Sequence, residues 1–540
     1  MKNQKERHLS KEDVDYFERA MDAFSSIKDS EDVNDFFEPL DQALRGKEIL
    51  VAQHKACSRF MESYIKNCPI LSLQRLFRAF SGHFEDLSYD KFSSHVVEQI
   101  IIQSFQFIDS DVPPPKFSEL LSSLVTELTP NAADLADDYA GSHVARTILK
   151  ELSVHASMNQ KIDKFSRKII QAIVNDPTRV KSTQFSATLQ AIASLNQQYY
   201  SKLIKYLLSS VPCTYEDICD KSGSKLIESL LQNVGAPAAT VLLEKCLRKE
   251  AISAFSHPIA NYVLQRWLEC ERNREELSLV VKQLIPSLPK IISVRPQVAV
   301  SLSKGLIYSD PNYQTRFVSY FVNESGNDNL IEYMNSISPP NGSKMLQSIC
   351  NFDPSSNKPL VEAAKQLGGD RIFELSLDKS CSYFVSEFIK SNIDIKSKMK
   401  IIRRLIPKSQ ELALDRNGAF VIEAMYDVCD IKAKAQICEN LKNESVKNGA
   451  RYIWRNFRMD QFITRRQQWE RDTEEIMKRK EAMNDIIEDE NIPDVEPVPP
   501  TVTDITAPEV ENAEMEIEAN IGTLHRHRRR RHHKKNDGEE

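Results

Sequence analysis

A short pattern that recurs along the chain constrains the fold more than any other feature of the sequence. Each copy has a polar or acidic residue, then a small residue and polar residues, and then an apolar run. The clearest copies begin at Asp138, Asp220, Asp378 and Asp415, and looser copies contain Ser94, Asn261 and Ser343. Neighbouring copies lie roughly 35 to 48 residues apart, which is the period of solenoid repeats. We therefore expect one repeat array rather than several globular domains.

Composition and periodicity favour an all-α fold. Glycine is scarce, at 14 of 540 residues, and Leu, Ile, Lys, Glu and Ala dominate most segments, as suits helices. The alternation of apolar and polar residues that marks half-buried strands is hard to find. The prediction is an all-α solenoid of roughly eleven repeats.

The chain divides into four predicted segments. Residues 1–45 are an amphipathic segment that caps the array, since Ser10 to Asp13 resembles a capping box before apolar positions. The array covers 46–464, and a charged helix covers 465–487. Residues 488–540 are predicted to be a disordered tail, acidic and then basic, because their apolar content is too low for folding. The basic run from His525 to Lys535 is typical of a nuclear or nucleolar address or a nucleic-acid contact.

Several classes of protein are excluded by the sequence. The ten cysteines stand singly without a CxxC pair, which argues against a disulfide framework or a zinc site. No apolar stretch reaches the length of about 18 residues expected for a membrane span, and the polar N-terminus is not a secretory signal. Nucleotide-binding, lipase and metalloprotease motifs are absent. We therefore expect no enzyme activity, no cofactor, no metal site and no membrane partner.

Each copy of the pattern predicts a helix with one apolar and one polar face. Successive residues turn by about 100°, so Ser224, Lys225 and Glu228 share one face, and the apolar residues between them form the buried side. Asp220 precedes the helix at the N-cap position, where a carboxylate accepts backbone N–H groups. Gly223 is small enough to let a neighbouring helix approach. We predict purely structural roles for the acid and the small residue.

The polar triplet of each copy is the candidate binding surface. Two short polar groups one turn apart suit the edge of an unstacked base, and a flat or basic residue beside them suits stacking on its face. A hydrated groove that binds no ligand, or one that binds a protein, fits the same spacing, since many helical arrays bind protein. The spacing alone does not decide between RNA and protein.

At these triplets the chain resembles the Pumilio (PUF) family of RNA-binding repeat proteins. The resemblance covers about residues 48–462 and implies a curved solenoid of three-helix repeats, in which each second helix reads one base. The matches are the uracil-type set Asn261, Tyr262 and Gln265, the guanine-type pairs Ser58–Glu62, Ser94–Glu98 and Ser224–Glu228, and the near-adenine-type pairs Ser343–Gln347 and Ser186–Gln190. The RNA-binding residues that we predict are Ser58, Arg59, Glu62, Ser94, His95, Glu98, Ser142, His143, Arg146, Ser224, Lys225, Glu228, Asn261, Tyr262, Gln265, Ser343, Lys344, Gln347 and Tyr383.

Other repeats depart from the family's pattern. The second edge position matches no base in three repeats, where it holds Arg146, Ser386 or Trp454. The first position has no polar group in two repeats, where it holds Ala419 or Ala450. In a further repeat both positions are apolar, namely Val298 and Leu302. A weak code over a long array implies looser recognition that depends partly on shape and phosphate.

A narrower resemblance is to the nucleolar members of the PUF family that act in small-subunit ribosome assembly. It rests on the lead-in from Val14 to Phe17 and on the ending from Trp454 to Trp469. It implies a nucleolar monomer that binds pre-rRNA near the 3′ end of the small-subunit rRNA and the first internal transcribed spacer. Such a protein works among pre-ribosomal particle proteins and restrains premature cleavage. The alternatives are a cytoplasmic regulator of mRNA 3′-untranslated regions and a protein-binding α-solenoid scaffold.

Overall fold

The computed structural model describes residues 8–24, 33–270, 274–325 and 329–489. Within these ranges the chain is helices, turns and connecting segments, without a strand. The prediction of an all-α solenoid is confirmed. The predicted disordered tail lies almost entirely outside the described residues, and so does its basic run from His525 to Lys535.

Eleven three-helix repeats follow one another in the described part of the chain. The first helices are short: α3 (Glu48–Gln53), α6 (Phe84–Tyr89), α9 (Ala132–Asp137), α14 (Tyr215–Cys219), α17 (Arg248–Ser256), α20 (Leu288–Val294), α23 (Leu330–Ile337), α26 (Gly369–Leu377), α29 (Ser409–Leu414) and α32 (Glu444–Gly449). In the fourth repeat a 3₁₀ turn, Pro177–Lys181, stands in place of this helix.

The second and third helices form the body of each repeat. The second helices are α4 (Cys57–Asn67), α7 (Ser93–Phe105), α10 (Gly141–Thr147), α12 (Thr183–Ala193), α15 (Lys221–Val234), α18 (Ala260–Glu269), α21 (Pro296–Leu306), α24 (Pro339–Cys350), α27 (Cys381–Lys390), α30 (Gly418–Val428) and α33 (Arg451–Asn456). The third helices are α5 (Ile70–Phe80), α8 (Phe117–Leu128), α11 (Asn159–Asn175), α13 (Gln197–Ser210), α16 (Ala236–Leu242), α19 (Arg274–Leu284), α22 (Pro311–Ser325), α25 (Pro354–Gln366), α28 (Ile395–Leu405), α31 (Ile431–Asn440) and α34 (Met459–Thr464).

The second helices pack on one another in one row. From α4 to α27, each packs against the second helix of the next repeat. The buried apolar residues of successive repeats form one contiguous core. This is expected for stacked repeats, because a single repeat cannot bury its apolar face alone. This stacking places the polar faces of the second helices from α4 to α30 side by side.

Further helices precede and follow the array along the chain. The N-terminal helices are α1 (Lys11–Phe24) and α2 (Val33–Leu44), and the C-terminal helix is α35 (Arg466–Asp489). Helix α1 packs on α4, where the ring centroids of Phe17 and Phe60 are 4.9 Å apart. Helix α1 thereby continues the row of second helices by one member.

The repeated acids cap the turns that open the second helices. Asp220 Oδ1 accepts hydrogen bonds from the N–H groups of Ser222 and Gly223, both at 2.8 Å. The same pair of bonds is made by Asp90, Asp138, Asp378 and Asp415. In the first and sixth repeats, His54 Nδ1 and His257 Nδ1 accept these bonds instead. The predicted capping role of the acids is confirmed.

The small residue before the triplet lies against the first helix of its own repeat. A Cβ atom on Gly418 would lie 2.7 Å from the Leu412 carbonyl oxygen, and one on Gly223 would meet the Asp217 carbonyl oxygen. Gly141 is in the same position, with the Leu135 carbonyl oxygen 2.9 Å from the added carbon. These distances are shorter than van der Waals contact, so the predicted close approach of helices is confirmed at these repeats.

Among the described residues, one passage is long and apolar enough to cross a membrane by length and composition, namely Arg274–Val294. It comprises α19, a 3₁₀ turn at Ile285–Ser287 and α20. Leu277, Val281 and Leu284 are buried in the array. The sequence reading that no stretch has this character is therefore corrected, and in the structure the passage contributes to the repeat core.

All ten cysteines lie in the described part of the chain, and none of them forms a disulfide bond. Burial raises the pKa of Cys57 to about 11 and of Cys213 to about 12. Thiols with raised pKa values react slowly, so these residues serve as small core side chains.

Candidate nucleic-acid interface

The middle residues of the triplets form an exposed row along the second helices. The row includes aromatic and basic side chains, and Tyr262 is 57% and Tyr383 is 54% exposed. Its other exposed members are Arg59, His95, Lys225, Lys344, Phe420 and Arg451. His143 is half-buried, and Ala187 interrupts the row in the fourth repeat. Side chains with flat faces or positive charge are thus presented once per repeat over most of the row.

The first residues of the triplets are buried rather than solvent-facing. Ser94, Ser142, Ser186 and Ser343 are each 1% exposed. Asn261 is only 3% exposed, although the sequence predicts that its triplet forms part of the binding surface. Its Nδ2 donates to the carbonyl oxygens of His257 and Pro258 at 2.7 and 2.9 Å. The reason for the difference is that a short side chain at this position bonds back to the turn that opens its own helix.

The third residues lie half-buried beside the first, and in three repeats the two are bonded together. Gln265 Nε2 donates to Asn261 Oδ1 at 2.8 Å. Gln347 Nε2 donates to Ser343 Oγ at 3.2 Å, as does Gln190 Nε2 to Ser186 Oγ. Each glutamine has a second N–H and a carbonyl oxygen beyond this bond. These bonds fix the orientation of the edge groups before any ligand binds.

Glutamate occupies the third position in several repeats. Burial raises the pKa of Glu228 above its usual value, although Arg266 and Lys225 favour the charged form. Burial likewise raises the pKa of Glu423. Glu62 is half-buried beside the exposed Arg59. Carboxylates in these positions can accept hydrogen bonds from the N–H groups of a ligand.

Repeats two and three bring their triplets into a cluster of rings and charges. The ring centroids of His95 and His143 are 6.2 Å apart, and Glu98 contacts His95 Nδ1 at 3.0 Å. Arg146 Nη2 lies 3.1 Å from His143 Nδ1. Burial lowers the pKa of His143, and the nearby Arg146 lowers it further. The neutral imidazole can therefore accept from Arg146, and its ring remains available for stacking.

The ninth and tenth repeats place two aromatic rings side by side. Tyr383 and Phe420 have centroids 6.1 Å apart and planes inclined by 24°. The RNA-binding residues predicted from the sequence do not include Phe420, although it occupies the middle position of its repeat. Tyr139 and Tyr452 are further large exposed residues, 71% and 68% respectively, and each neighbours a triplet in sequence. Phe420, Tyr139 and Tyr452 could have been identified from the sequence, because each is an aromatic residue at or near the middle position of a triplet.

The seventh repeat differs from most others in its middle residue, because Ala299 is buried. Val298 and Leu302 are fully buried, and the exposed residues of α21 are Gln297 and Lys304. The helix begins at Pro296 without a side-chain cap, so the acid that sets the start in other repeats is missing. Lys304 Nζ pairs with Glu269 at 2.9 Å. This repeat presents no pair of the edge-reading type.

The remaining irregular repeats differ in their third position. Ser386 is buried, and its hydroxyl has no hydrogen-bond partner. Trp454 is buried, and its indole N–H donates to Asp460 at 3.1 Å, which holds it in the core. The predicted lack of a base-reading group at these two positions agrees with their burial.

Within the described ranges, no group of three or more His, Cys, Asp or Glu side chains is placed to hold a metal ion. The interface therefore consists of stacking faces, amides, hydroxyls, carboxylates and cations. Such groups bind and orient a ligand. The absence of enzyme activity stays a prediction.

Comparisons with known proteins place these features in a family. The sequence model of the NOP9-like PUF repeat domain matches residues 46–211, 154–305 and 323–447. Nucleolar protein 9 of Candida glabrata is 21% identical, with 86% of each chain covered. Nucleolar protein 9 of Emericella nidulans is 24% identical over 85% of this chain and 82% of that protein.

A solved structure has the same fold. The structure of APUM23-GGAAUUGACGG aligns with a TM-score of 0.70 and 19% identity, covering 86% of this chain and 100% of that one. A second APUM23 structure, with an insert region deleted, also aligns with a TM-score of 0.70 at 18% identity. The array of three-helix repeats is therefore shared over nearly the whole described chain.

Proposed function

Because this chain belongs to the NOP9-like PUF repeat domain family, we propose that it is a nucleolar RNA-binding protein that acts in ribosome biogenesis. The relatives named nucleolar protein 9 support the location. The similar fold of APUM23-GGAAUUGACGG supports a nucleic-acid ligand. Both inferences agree with the chemistry of the second-helix row.

The exposed row of middle residues is the observation that carries the proposal. A hydrated groove that binds no ligand would have no need for exposed aromatic rings. Here Tyr262, Tyr383 and Phe420 are exposed at matching positions of their repeats. Single-stranded RNA bases stack on such rings, and arginine or lysine in the same row contacts bases or phosphates. The fixed amide of Gln265 and the carboxylate of Glu228 then contact base edges.

The finer proposal concerns the RNA and the effect of binding. We propose that the ligand is single-stranded or partly unfolded small-subunit pre-rRNA, near its 3′ end and the first internal transcribed spacer. A strand held along the second helices has its backbone covered over many nucleotides. An endonuclease cannot reach a phosphodiester that is covered in this way, so binding alone restrains premature cleavage. The protein acts as a monomer among the other proteins of the pre-ribosomal particle and does no chemistry itself.

Crosslinking of the protein to RNA in cells, followed by sequencing of the bound fragments, tests this proposal. We expect one dominant peak on small-subunit pre-rRNA beside the 3′ spacer. Peaks in mRNA 3′-untranslated regions would favour the cytoplasmic regulator. No enrichment over a mock purification would favour the protein-binding scaffold.

The effect on cleavage needs its own measurement. Purified protein is added to an RNA that spans the 3′ end of the small-subunit rRNA, together with the maturing endonuclease, and cleavage is followed in time. We expect slower cleavage with the wild-type chain and faster cleavage when the Tyr262, Tyr383 and Phe420 rings are all replaced by alanine. Equal rates with and without the wild-type protein would contradict the restraining role.

A further inference from the structure

A cavity of about 330 Å³ opens between the third and fourth repeats. It lies among the π-helical turn that follows α10, the end of α12 and the first turn of α13, and its wall includes Leu149, Lys150, Val154, Leu195 and Tyr199. None of these residues belongs to a triplet. The cavity is therefore separate from the edge-reading positions.

The cavity is nevertheless continuous with the triplet face. Lys150 follows Arg146 by four residues, and Ser194 follows Gln190 by four residues. Each pair is separated by about one helical turn, the first across the π-helical turn Ile148–Leu152 and the second at the end of α12, where the Ser194 N–H donates to the Gln190 carbonyl oxygen at 3.1 Å. The cavity thus lies one helical turn beyond the triplets of two adjacent repeats, within reach of a strand that contacts those triplets.

The backbone is irregular at this place in two ways. Helix α10 continues into a π-helical turn, Ile148–Leu152, and π-turns concentrate at functional sites. Helix α13 is kinked at Tyr200, where φ is −113° and ψ is 19°. The Tyr200 hydroxyl donates to Asn159 Oδ1 at 2.9 Å, and the Ser153 carbonyl oxygen lies 3.3 Å away. These bonds fix the kink, so the cavity is built into the fold.

The lining has the chemistry of a site for a flat, partly polar ring. Tyr199 is 61% exposed and Val154 is 75% exposed at the opening, and Leu149 and Leu195 supply buried apolar walls. Ser153 and Asn196 add a hydroxyl and an amide to the same lining. Lys150 contributes a cation, whose pair with Glu151 is solvent-exposed on the lysine side and therefore weak.

We propose that this cavity binds one nucleobase of the same RNA, outside the one-base-per-repeat register of the triplets. The base stacks on Tyr199, its edge meets Ser153 and Asn196, and its phosphate faces Lys150. Stacking on an exposed aromatic ring beside a cation is how unpaired bases are held without a strict sequence requirement. The inference rests on the proposed RNA-binding function and adds a subsite to it.

A nucleobase fits better than an apolar peptide side chain. The volume of this cavity is at the low end of the range for small-ligand sites. Because the cavity is continuous with the triplet face, a base of an RNA strand already bound to the triplets can enter it. A peptide would need no such continuity. Under that alternative, Tyr199 would affect the capture of a protein and leave RNA affinity unchanged.

The first test maps the contact in the full-length protein. Cells are irradiated with ultraviolet light, the protein is purified and digested, and peptides that carry a nucleotide are identified by mass spectrometry. We expect an adduct on Tyr199, in addition to adducts on Tyr262 or Tyr383. Adducts in the triplet row without one at the cavity would overturn the subsite and leave the proposed function intact. Adducts at neither place would count against both.

The second test measures affinity with the RNA fragment recovered from the crosslinked protein. Tyr199→Ala is expected to weaken binding about tenfold, since base–aromatic stacking is lost. The matched variant Tyr199→Phe keeps the ring and is expected to bind like the wild type. Leu71→Ala removes another exposed apolar side chain, 58% exposed on α5, and controls for a general surface effect. Equal affinities for Tyr199→Ala and Tyr199→Phe would overturn the proposal.

Discussion

At the scale of single residues, the triplet positions have different physical roles. The first residue is buried and bonded to its own helix or to the next repeat, as Ser343 shows by donating to the Ser380 carbonyl oxygen at 2.6 Å. The middle residue is exposed, and the third lies between these extremes. Substitution of a triplet as a whole therefore mixes a loss of stability with a loss of binding, and the two must be separated residue by residue.

Tyr262→Ala is expected to weaken RNA binding by about 1–3 kcal/mol, the range for loss of a base–aromatic stack. Its stability should change little, because the ring is 57% exposed. Fluorescence anisotropy with the recovered pre-rRNA fragment measures the affinity, and thermal unfolding measures the stability. Tyr262→Phe is the control, and it should bind like the wild type. A large loss of stability with unchanged affinity would contradict the stacking role.

Asn261→Ala is expected to act mainly on stability. The substitution removes the donor to the His257 carbonyl oxygen and leaves Gln265 Nε2 without its acceptor, at a cost of about 1–3 kcal/mol. Urea denaturation should show a lower midpoint than for Tyr262→Ala. A variant as stable as the wild type would show that water replaces these bonds without cost.

The capping acids make stability depend on pH in the acidic range. Backbone hydrogen bonds, the largest from Cys381, hold the pKa of Asp378 below its usual value. A carboxyl group with a lowered folded pKa contributes stability above its unfolded pKa of about 3.9, and this contribution is lost as the pH falls through the folded pKa. We expect Asp378→Asn to lose stability at pH 6 and to differ less from wild type near pH 3. A constant difference between pH 6 and pH 3 in chemical denaturation would contradict this linkage.

At the scale of helices, close contacts between the first and second helices set the geometry of each repeat. Gly223→Ala is expected to destabilise the fold by about 1–3 kcal/mol, because the added carbon meets the Asp217 carbonyl oxygen. Gly369→Ala is the matched control, since its added carbon would lie 3.8 Å from Arg404 Cβ, in ordinary contact. That variant should be neutral or more stable by up to about 1 kcal/mol. Similar effects of both substitutions on the unfolding midpoint would contradict the argument.

The sequence predicts the repeats well wherever the acid, the small residue and the apolar run occur together. Asp220, Gly223 and Leu226 each have one local reason for their type, so the helix that they start can be placed from the chain alone. The pattern is incomplete in the seventh repeat. There Pro296 opens the helix in the absence of an acid, and the middle residue Ala299 is buried, whereas most other middle residues are exposed. Burial of Asn261 was also missed, because side-chain bonds to the local backbone do not show in the spacing of polar residues.

At the scale of the whole array, the positive side chains of the exposed row are expected to make RNA affinity depend on salt concentration, in proportion to the number of phosphates that they contact. Arg59, Lys225, Lys344 and Arg451 are exposed in this row. The logarithm of RNA affinity should fall linearly with the logarithm of salt concentration, with a slope of about −0.7 for each phosphate neutralised on a single strand. Lys225→Gln is expected to reduce the slope by about that amount.

Lys205→Gln is the matched control for this titration. Lys205 is exposed on α13, a third helix outside the row, so its removal should leave the slope unchanged. Equal reductions for Lys205→Gln and Lys225→Gln would indicate that RNA responds to the total charge of the protein rather than to the row.

The stacking of α1 and the second helices has a mechanical consequence. Each of these helices packs mainly against the helices next to it. A force applied at the two ends of the array therefore acts on the contacts between repeats in series. In a single-molecule pulling experiment the array should lengthen by steps of roughly 120–170 Å, the extended length of one repeat. A strand bound along the second helices would act as a tether across many of these contacts, and the first step should then need a higher force.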